Sequence, residues 1–293
     1  MKIALLYGGE IRADHSAKNA KAIYDDYAKS SPSCKVNMCK VDTDGYVYEE
    51  KIKSDIHRVL AFSDILIDTT YSYPKRAYHH SLAKKLNLKV FFAQEIDSHN
   101  HAKILEQVGI SVNRHYLIKK EDKNHTGFVY DIWREIHLPI VIKSLKNFTP
   151  KLITYSPHET LEHIKFIHKR NDAAVISQYS GSKIYTVISI KNYRGQKIYN
   201  TPIVEIFKSR DHTNKSAKYT SARYLSDKDK DDIYKILDQA AEHVDAKLIR
   251  FDLSVQPRIK ILNISIKPSY HEGGVVHGVL KDYSINISDT IQD

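Results

Sequence analysis

The chain has 293 residues, of which 42% are apolar and 27% charged, a globular composition that excludes a long disordered region. A single hydrophobic core seldom organises more than roughly 250 residues, so two or three lobes are expected. The apolar start is too short for a signal peptide, and no run reaches the roughly 18 residues of a membrane span, which predicts a cytoplasmic protein with no membrane partner. Lys and Arg exceed Asp and Glu by 45 to 35, but the excess is diffuse and contains no nucleic-acid motif, so we expect no nucleic-acid partner.

The first third of the chain predicts an open, mostly parallel sheet. Its opening strand is a continuous apolar run that ends at Gly8-Gly9, and helical spacing follows as far as Tyr27. Strands and helices then alternate, which is typical of a parallel sheet covered by helices. The strands are predicted at 2–7, 36–41, 64–68 and 88–92, and a second helix at 77–86.

The pattern changes after about Gln94 to short strands mixed with helices. A helix from about His99 to Val108 is predicted to stop at the glycine C-cap Gly109. Ser156 and Ser226 are each predicted to cap a helix, at 157–168 and 227–243. Further strands are predicted at 115–118, 138–143, 151–155, 173–179, 184–190 and 202–207, with a hairpin at 248–255 and 258–266. We therefore expect α/β and α+β lobes at 1–94, 95–180 and 181–293, with a cleft between the second and third.

Histidine and cysteine patterns give no metal site. His79-His80 and the pair His99 and His101 lie one or two residues apart, which does not place them on one helix face. We interpret them as solvated surface histidines. Cys34 and Cys39 have no second pair with which to complete a zinc site.

Several short strings recur in an order that resembles a known family. They are Tyr7-Gly8-Gly9, Leu138 to Lys143, Gly181 between paired strands, Pro202 to Ile206, Ala217-Lys218-Tyr219, Arg250 to Leu253 and Asn263 to Pro268. In this order they resemble the ATP-grasp fold of D-alanine:D-alanine ligases, over nearly the whole chain. The resemblance implies an N-terminal Rossmann-like lobe with a parallel sheet, followed by the two ATP-grasp lobes.

The resemblance also implies a function. In that family ATP phosphorylates a carboxylate and an amine attacks the acylphosphate, in peptidoglycan biosynthesis. It implies ATP and Mg²⁺ as cofactors and an amino-acid or peptide substrate, and it leaves a homodimer open. The first hypothesis is therefore an ATP-dependent carboxylate–amine ligase. The second is a catalytically inactive homologue that acts as a binding or regulatory protein.

Site residues follow from the matching positions. The resemblance implies catalytic roles for Arg250, Lys218 and Tyr219, and nucleotide contacts for Lys143, Gln178 and Lys183. It implies substrate contacts for Glu10, Asp14, Gly273 and Gly274, and metal ligation by Asp252, Asn263 and Ser265. Each has an ordinary structural alternative: a lysine reaching solvent for Lys143, an exposed loop pair for Lys218 and Tyr219, a salt bridge for Arg250 and Asp252, and a plain turn at 271–274.

Several positions depart from the family pattern. The loop 144–150 is short and lacks glycine where the family has a glycine-rich phosphate loop, so the lid is essentially missing. His99 or a neighbour stands at a phosphate-side lysine, and Ser177 and Lys183 stand at carboxylates that hold adenosine. Asn263 and Ser265 replace two metal ligands. These departures are what the second hypothesis predicts.

Overall fold

The computed structural model describes residues 1–10, 12–92, 98–136, 139–145, 151–179, 181, 183–207, 218–266 and 270–292. Some residues of the predicted motifs are not among these. Gln94, Leu138, the loop residues 146–150, Ala217 and the pair Lys267-Pro268 lie outside the described residues. No helix in the described ranges is both long enough and apolar enough to cross a membrane.

The predicted strands and helices form in the predicted order. The strands are β1 (Lys2–Gly8), β2 (Lys35–Val41), β3 (Val47–Glu49), β4 (Ile52–Ser54), β5 (Ile65–Asp68), β6 (Lys89–Phe91), β7 (His115–Ile118), β8 (Ile140–Ser144), β9 (Leu152–Thr154), β10 (Ala174–Gln178), β11 (Ile184–Tyr193), β12 (Gln196–Asn200), β13 (Val204–Phe207), β14 (Lys218–Ser221), β15 (Leu248–Ser254) and β16 (Lys260–Ser265). The helices are α1 (Ala13–Ser30), α2 (Ile56–Ala61), α3 (Arg76–Lys85), α4 (Ser98–Gln107), α5 (His125–Ile136), α6 (Pro157–His168), α7 (Asp227–His243), α8 (Val275–Asp282) and α9 (Ile287–Gln292). The sequence did not predict β3, β4, β12, β14, α2, α5, α8 and α9.

Three sheets form the architecture. The first has strand order β4-β3-β2-β1-β5-β6, with β1 parallel to both β2 and β5. The central sheet, β7-β10-β8-β9, and the third sheet, β14-β13-β11-β15-β16, are antiparallel, and β12 pairs with β11. The parallel sheet predicted for the N-terminal lobe is confirmed, and the short antiparallel hairpin β3–β4 extends it.

Helix caps form where the sequence places them. The Ser156 hydroxyl accepts a hydrogen bond from the Glu159 backbone N–H at 3.1 Å, at the start of α6. Ser226 accepts from the Asp229 backbone N–H at 3.1 Å, at the start of α7. Each hydroxyl satisfies a backbone donor that has no partner within the helix. Local chemistry therefore determines where both helices begin.

Residues between Tyr116 and Ile176 form a hydrophobic core of their own. Helices α5 and α6 cover one face of the central sheet, and this core contains only residues of that lobe. A different core spans the first and third lobes, since Ile3, Leu5 and Ile23 pack in one cluster with Ile188 and Val276. The lobe boundaries remain predictions, and packing adds one detail: Leu105 of α4 joins the core between the third sheet and α7.

A buried carboxylate organises the end of β5. Asp68 is fully buried, and its Oδ2 accepts hydrogen bonds from Arg76 Nε at 2.8 Å and His80 Nε2 at 2.7 Å. His79 is 1% exposed and bonds the Tyr73 hydroxyl at 2.9 Å. The interpretation of this histidine pair as solvated surface is therefore wrong. The two neighbours point in different directions, but each finds a buried partner from another segment.

His99 corrects the same interpretation at the start of α4. It is 5% exposed, so it too is not a solvated surface residue. Sequence spacing excluded a shared helix face but carried no information on what packs over each ring.

The Asp68 cluster generates a stability prediction. Asp68→Asn should lower the free energy of unfolding by about 3 kcal/mol, because it leaves the buried Arg76 cation without its carboxylate. Urea denaturation followed by circular dichroism measures this. As a matched control, Asp131→Asn removes an exposed pair with Arg134 and should cost less than about 1 kcal/mol. Equal losses of unfolding free energy in the two variants would show that the buried Asp68 pair stabilises the fold no more than an exposed pair does.

Candidate functional site

The predicted cleft lies between the open faces of the central and third sheets. On the central side it is lined by Val141 and Ser177, which are register partners on β8 and β10, and by Lys151. On the third-sheet side it is lined by Arg250 and Asp252. Its cavity of about 90 Å³ is small. Pockets that bind small molecules occupy roughly 300–1,000 Å³, so a nucleotide fits only if the sheets separate.

Arg250 and Asp252 form the centre of the third-sheet side. They are two residues apart on β15 and so share one face, and Arg250 Nε donates to Asp252 Oδ1 at 2.9 Å. The Thr186 hydroxyl donates to the same oxygen at 2.7 Å, and Asn263 Nδ2 lies 3.4 Å from Oδ2. The carboxylate is thus held by three side chains from three strands, and the Arg250 side chain keeps 22% exposure.

Lys143 and Lys151 supply positive charge on the opposite side. Lys143 lies two residues after Val141, on the cleft face of β8, and it is half-buried. Lys151 precedes β9, and continuing the β8–β9 register by one residue places it opposite Lys143. It remains accessible to solvent, yet crowding by protein atoms lowers the pKa of its ammonium, while Asp252 raises that pKa and Arg250 lowers it. Two lysines therefore face the arginine of the other sheet.

Two histidines, His115 and His99, lie near these lysines. His115 on β7 is the register partner of Ser177 and lies on the same sheet face. Burial, followed by the charges of Lys143, His99 and Lys151, lowers the pKa of His115 to about 3. Its Nδ1 is buried and has no hydrogen-bond partner among the described atoms. The structure thus brings His99, at the position where the resemblance implied a lysine, to the two lysines of the cleft.

The floor of the cleft joins the two sheets. The Asn113 backbone N–H donates to the Ile261 carbonyl at 2.7 Å, and its side chain donates to the Gln178 carbonyl at 2.8 Å. A bulge in the β15–β16 ladder leaves Leu262 unpaired beside Asn263, with both residues in the lining. These contacts fix the sheets at one edge and leave the opposite edge to open.

The remaining nucleotide and catalytic candidates differ in position. Gln178 lines the cleft, and its contact with a nucleotide remains a prediction. Lys183 is exposed and lies 5.8 Å from the ring centroid of Tyr224. Lys218 is exposed at the start of β14, outside the residues that line the cleft. The structure therefore places Gln178 and Arg250 in the cleft and Lys143 beside it, but leaves Lys183 and Lys218 at the surface.

Tyr219 is held away from the cleft centre by α8. Its hydroxyl donates to Asp282 Oδ2 at 2.7 Å, and burial followed by this hydrogen bond raises the pKa of the phenol. A Cβ at Gly278 would lie 2.5 Å from the same hydroxyl oxygen, so the ring requires glycine there. The catalytic role predicted for Tyr219 needs this contact to break.

The metal candidates share one face but supply little charge. Asp252 pairs in register with Asn263, and Arg250 with Ser265, so all four side chains lie on the cleft side of β15 and β16. Among the described residues no group of three His, Cys, Asp or Glu side chains surrounds a common point. Mg²⁺ is usually held by one or two carboxylates with substrate phosphates. One carboxylate already bonded to Arg250 fits poorly, whereas the cations fit a triphosphate.

A second polar region lies where β1 ends. Gly8 and Gly9 have φ of +98° and +84°, and a Cβ would lie 2.5 Å from the Val41 carbonyl or 2.6 Å from the Ser72 carbonyl. Only glycine passes between these backbones. Glu10 follows Gly9 and Asp14 lies in the first turn of α1, and both side chains are exposed.

The loop before α8 packs against this region. His271 lies 4.7 Å from the His15 ring in an edge contact, and Gly274, the N-cap of α8, donates its N–H to the His271 carbonyl at 2.8 Å. Gly273 is exposed with φ +82°. The predicted substrate residues therefore belong to two segments that the structure brings together, and their roles remain predictions.

Sequence reasoning missed three residues of the cleft: Lys151, His115 and Asn113. Lys151 directly follows the loop 144–150, which stands where the family has its glycine-rich phosphate loop. A positive charge next to that loop was therefore an available signal. His115 and Asn113 gave none, because their roles depend on register and on a contact between lobes.

No protein-family model matches this sequence, and no curated protein does either. Solved structures match over nearly the full length. The D-alanine:D-alanine ligase from Coxiella burnetii is 13% identical with a TM-score of 0.78, and the match covers 100% of this chain and 93% of that chain. The Bacillus anthracis ligase complexed with ATP is 15% identical with a TM-score of 0.75, covering 100% and 95%. The D-Ala:D-Ser ligase from Enterococcus faecalis is 13% identical with a TM-score of 0.76, covering 99% and 97%.

These likenesses establish the fold. The chain has the ATP-grasp fold of the D-alanine:D-alanine ligases, as the sequence predicted, with the mixed parallel and antiparallel sheets described above.

Crowding of Lys151 generates a reactivity prediction. Because its lowered pKa leaves more neutral amine at pH 8, Lys151 should be acylated several-fold faster than the exposed Lys29. Peptide mass spectrometry after brief treatment with an N-hydroxysuccinimide ester measures both sites in one sample. Slower labelling of Lys151 across pH 7 to 9 would contradict its placement in an accessible, crowded cleft.

Proposed function

We propose that the protein binds ATP between the central and third lobes and uses it to join a carboxylic acid to an amine. The observation that carries this proposal is a cleft lined by Lys151 and Arg250, with Asp252 as the acidic residue among its described lining. Lys143 lies next to it, opposite Lys151 in the strand register. A triphosphate supplies negative charge that balances these cations.

The cations take defined roles in this reaction. Lys143 and Lys151 hold the phosphates from the central sheet, and Arg250 faces the transferring phosphoryl group with a guanidinium oriented by Asp252. A carboxylate oxygen attacks the γ-phosphorus and ADP leaves. The amine nitrogen then attacks the carbonyl carbon and loses a proton, inorganic phosphate leaves, and an amide bond forms.

Opening of the central lobe is part of the proposal, because the cavity of about 90 Å³ is too small for a nucleotide. Movement is feasible because the central lobe has its own hydrophobic core. The bonds made by Asn113 to Ile261 and Gln178 act as the hinge edge. Closure on the bound nucleotide would then exclude water from the reacting groups.

ATP binding tests the site directly. Lys143→Ala, Lys151→Ala and Arg250→Gln should each weaken ATP binding by about ten-fold or more, the effect of losing one charge contact of about 1.4 kcal/mol. Isothermal titration calorimetry measures this, with the exposed Lys197→Ala as the control. Affinity should change little when Mg²⁺ is removed with a chelator, because side chains supply the positive charge. Unchanged affinity in all three cleft variants would place the nucleotide elsewhere.

A second candidate function is nucleotide binding without turnover. The observation that favours it is that a predicted metal ligand and a predicted catalytic residue already have partners. Asp252 is bonded to Arg250 and Thr186, and Tyr219 is bonded to Asp282. Phosphate release that requires ATP, an acid and an amine together supports the ligase. ATP binding without any such release supports the second candidate.

Restoring carboxylate charge tests the metal site. Asn263→Glu combined with Ser265→Asn should make ATP binding depend on Mg²⁺. With Mg²⁺ present, the affinity for ATP should rise by roughly ten-fold to nearly a thousand-fold, because one added charge about 4 Å away is worth on the order of 1 to 4 kcal/mol. Titration with and without Mg²⁺ measures the difference. Gln196→Glu adds the same charge on exposed β12 and should show no gain. Strong Mg²⁺ dependence in the unmodified protein would show that another carboxylate holds the metal.

A further inference from the structure

The first sheet has a topological switch point next to the α8 loop. From β1 the chain moves through α1 to β2 on one side, and β5 later pairs on the other side of β1. Connections that leave in opposite directions open a crevice at the carboxyl ends of the two strands, where open α/β sheets usually bind ligands. Here the crevice lies between the segment after Gly8 and the segment after Asp68.

Rings and cations from three segments fill this position. His15 on α1 lies 5.8 Å from the Tyr71 ring, and 4.7 Å from His271 of the α8 loop. The Arg12 guanidinium carbon lies 5.6 Å from the centre of the Tyr71 ring. We call these four residues the basic corner. Burial, followed by the charges of His271, Arg12 and Lys18, lowers the pKa of His15 to about 4.

Two helices begin at the basic corner without a side-chain cap. Arg12 occupies the N-cap of α1 and Gly274 the N-cap of α8, and neither gives its helix a capping hydrogen bond. The dipoles of both helices add positive potential there. Ser16 accepts a hydrogen bond from the Gly8 backbone N–H at 3.0 Å, which fixes the start of α1 to the end of β1.

A buried acceptor on α1 also lacks a partner. Asn19 is 6% exposed, lies four residues after His15 on the same helix face, and its side chain hydrogen-bonds Tyr71. Its Oδ1 has no hydrogen-bond partner among the described atoms. A ligand hydroxyl or protonated amine would satisfy it. The acidic residues nearest in sequence, Glu10, Asp14 and Glu272, have exposed side chains.

We propose that the basic corner binds the second acid group of a small dicarboxylic acid, and that this class of acid, rather than D-alanine, is the carboxylic substrate. A carboxylate at this corner is stabilised by the Arg12 guanidinium and by both helix N-termini, and the imidazole rings of His15 and His271 can each donate a ring N–H to it. The binding itself does not depend on ATP. Only the assignment of the ligand as a substrate rests on the proposed ligase function.

Calorimetric titration without nucleotide tests the proposal. Succinate and D- or L-glutamate should bind at least ten-fold more tightly than D-alanine. Arg12→Gln and His271→Gln should each weaken glutamate binding by ten-fold or more, while Lys29→Gln, an exposed change of the same charge at the far end of α1, should leave it unchanged. Circular dichroism checks that each variant is folded.

Three outcomes would overturn the proposal: D-alanine binding as tightly as glutamate, equal effects of Arg12→Gln and Lys29→Gln, or binding of inorganic phosphate with no binding of any carboxylate. Failure of ATP to bind would overturn the proposed ligase and leave glutamate binding intact. The two failures are therefore distinguishable.

Discussion

One hydrophobic core joins the first and third lobes, and the positions of both polar regions depend on it. Strand β1 and helix α1 contribute one side of this core, β11 and β13 the middle, and α8 and α9 the other side. Separating these lobes would expose this apolar surface to water, at a free-energy cost of roughly 25 cal/mol per Å². The start of α1 is thereby fixed against the loop before α8. Residues 116–176 of the central lobe have a separate core, and the proposed opening of the cleft depends on that separation.

The cleft shows how a cation excess is tolerated inside a fold. Lys151 and Arg250 face one carboxylate, Asp252, and Lys143 lies opposite Lys151 on the same sheet face. Like charges in a partly desolvated space raise one another's free energy. Crowding lowers the pKa of Lys151, which keeps access to water, and burial lowers the pKa of His115 to about 3, so this ring is neutral. If a polyanion binds here as proposed, it removes this repulsion, and that relief contributes to the binding free energy.

Local signals made much of the fold predictable. The caps Ser156 and Ser226 determine helix starts by hydrogen bonds within a few residues, and the apolar run of β1 needs burial whatever packs on it. Contacts between distant segments were not predictable. His79 and His99 became buried because other segments cover them, and Lys151 became a cleft residue because a strand register placed it beside Lys143. The family resemblance supplied Arg250 and Asp252 by order along the chain, but not the bonds from Thr186 and Asn263 that now hold the carboxylate.

Most of the departures that change charge in the family pattern remove an acid. Asn263 stands where the resemblance places a metal-binding glutamate, and Ser177 and Lys183 stand where it places carboxylates. His99 is the exception, because it stands at a lysine and so removes a cation. Undirected loss of function has no reason to favour the removal of acids, whereas a ligand with more negative charge does. If the cleft binds nucleotide phosphates without a protein-held divalent ion, as proposed, the ligand itself carries that charge. The basic corner then extends the same electrostatic change to a second site, since a dicarboxylic acid there also brings more negative charge than D-alanine.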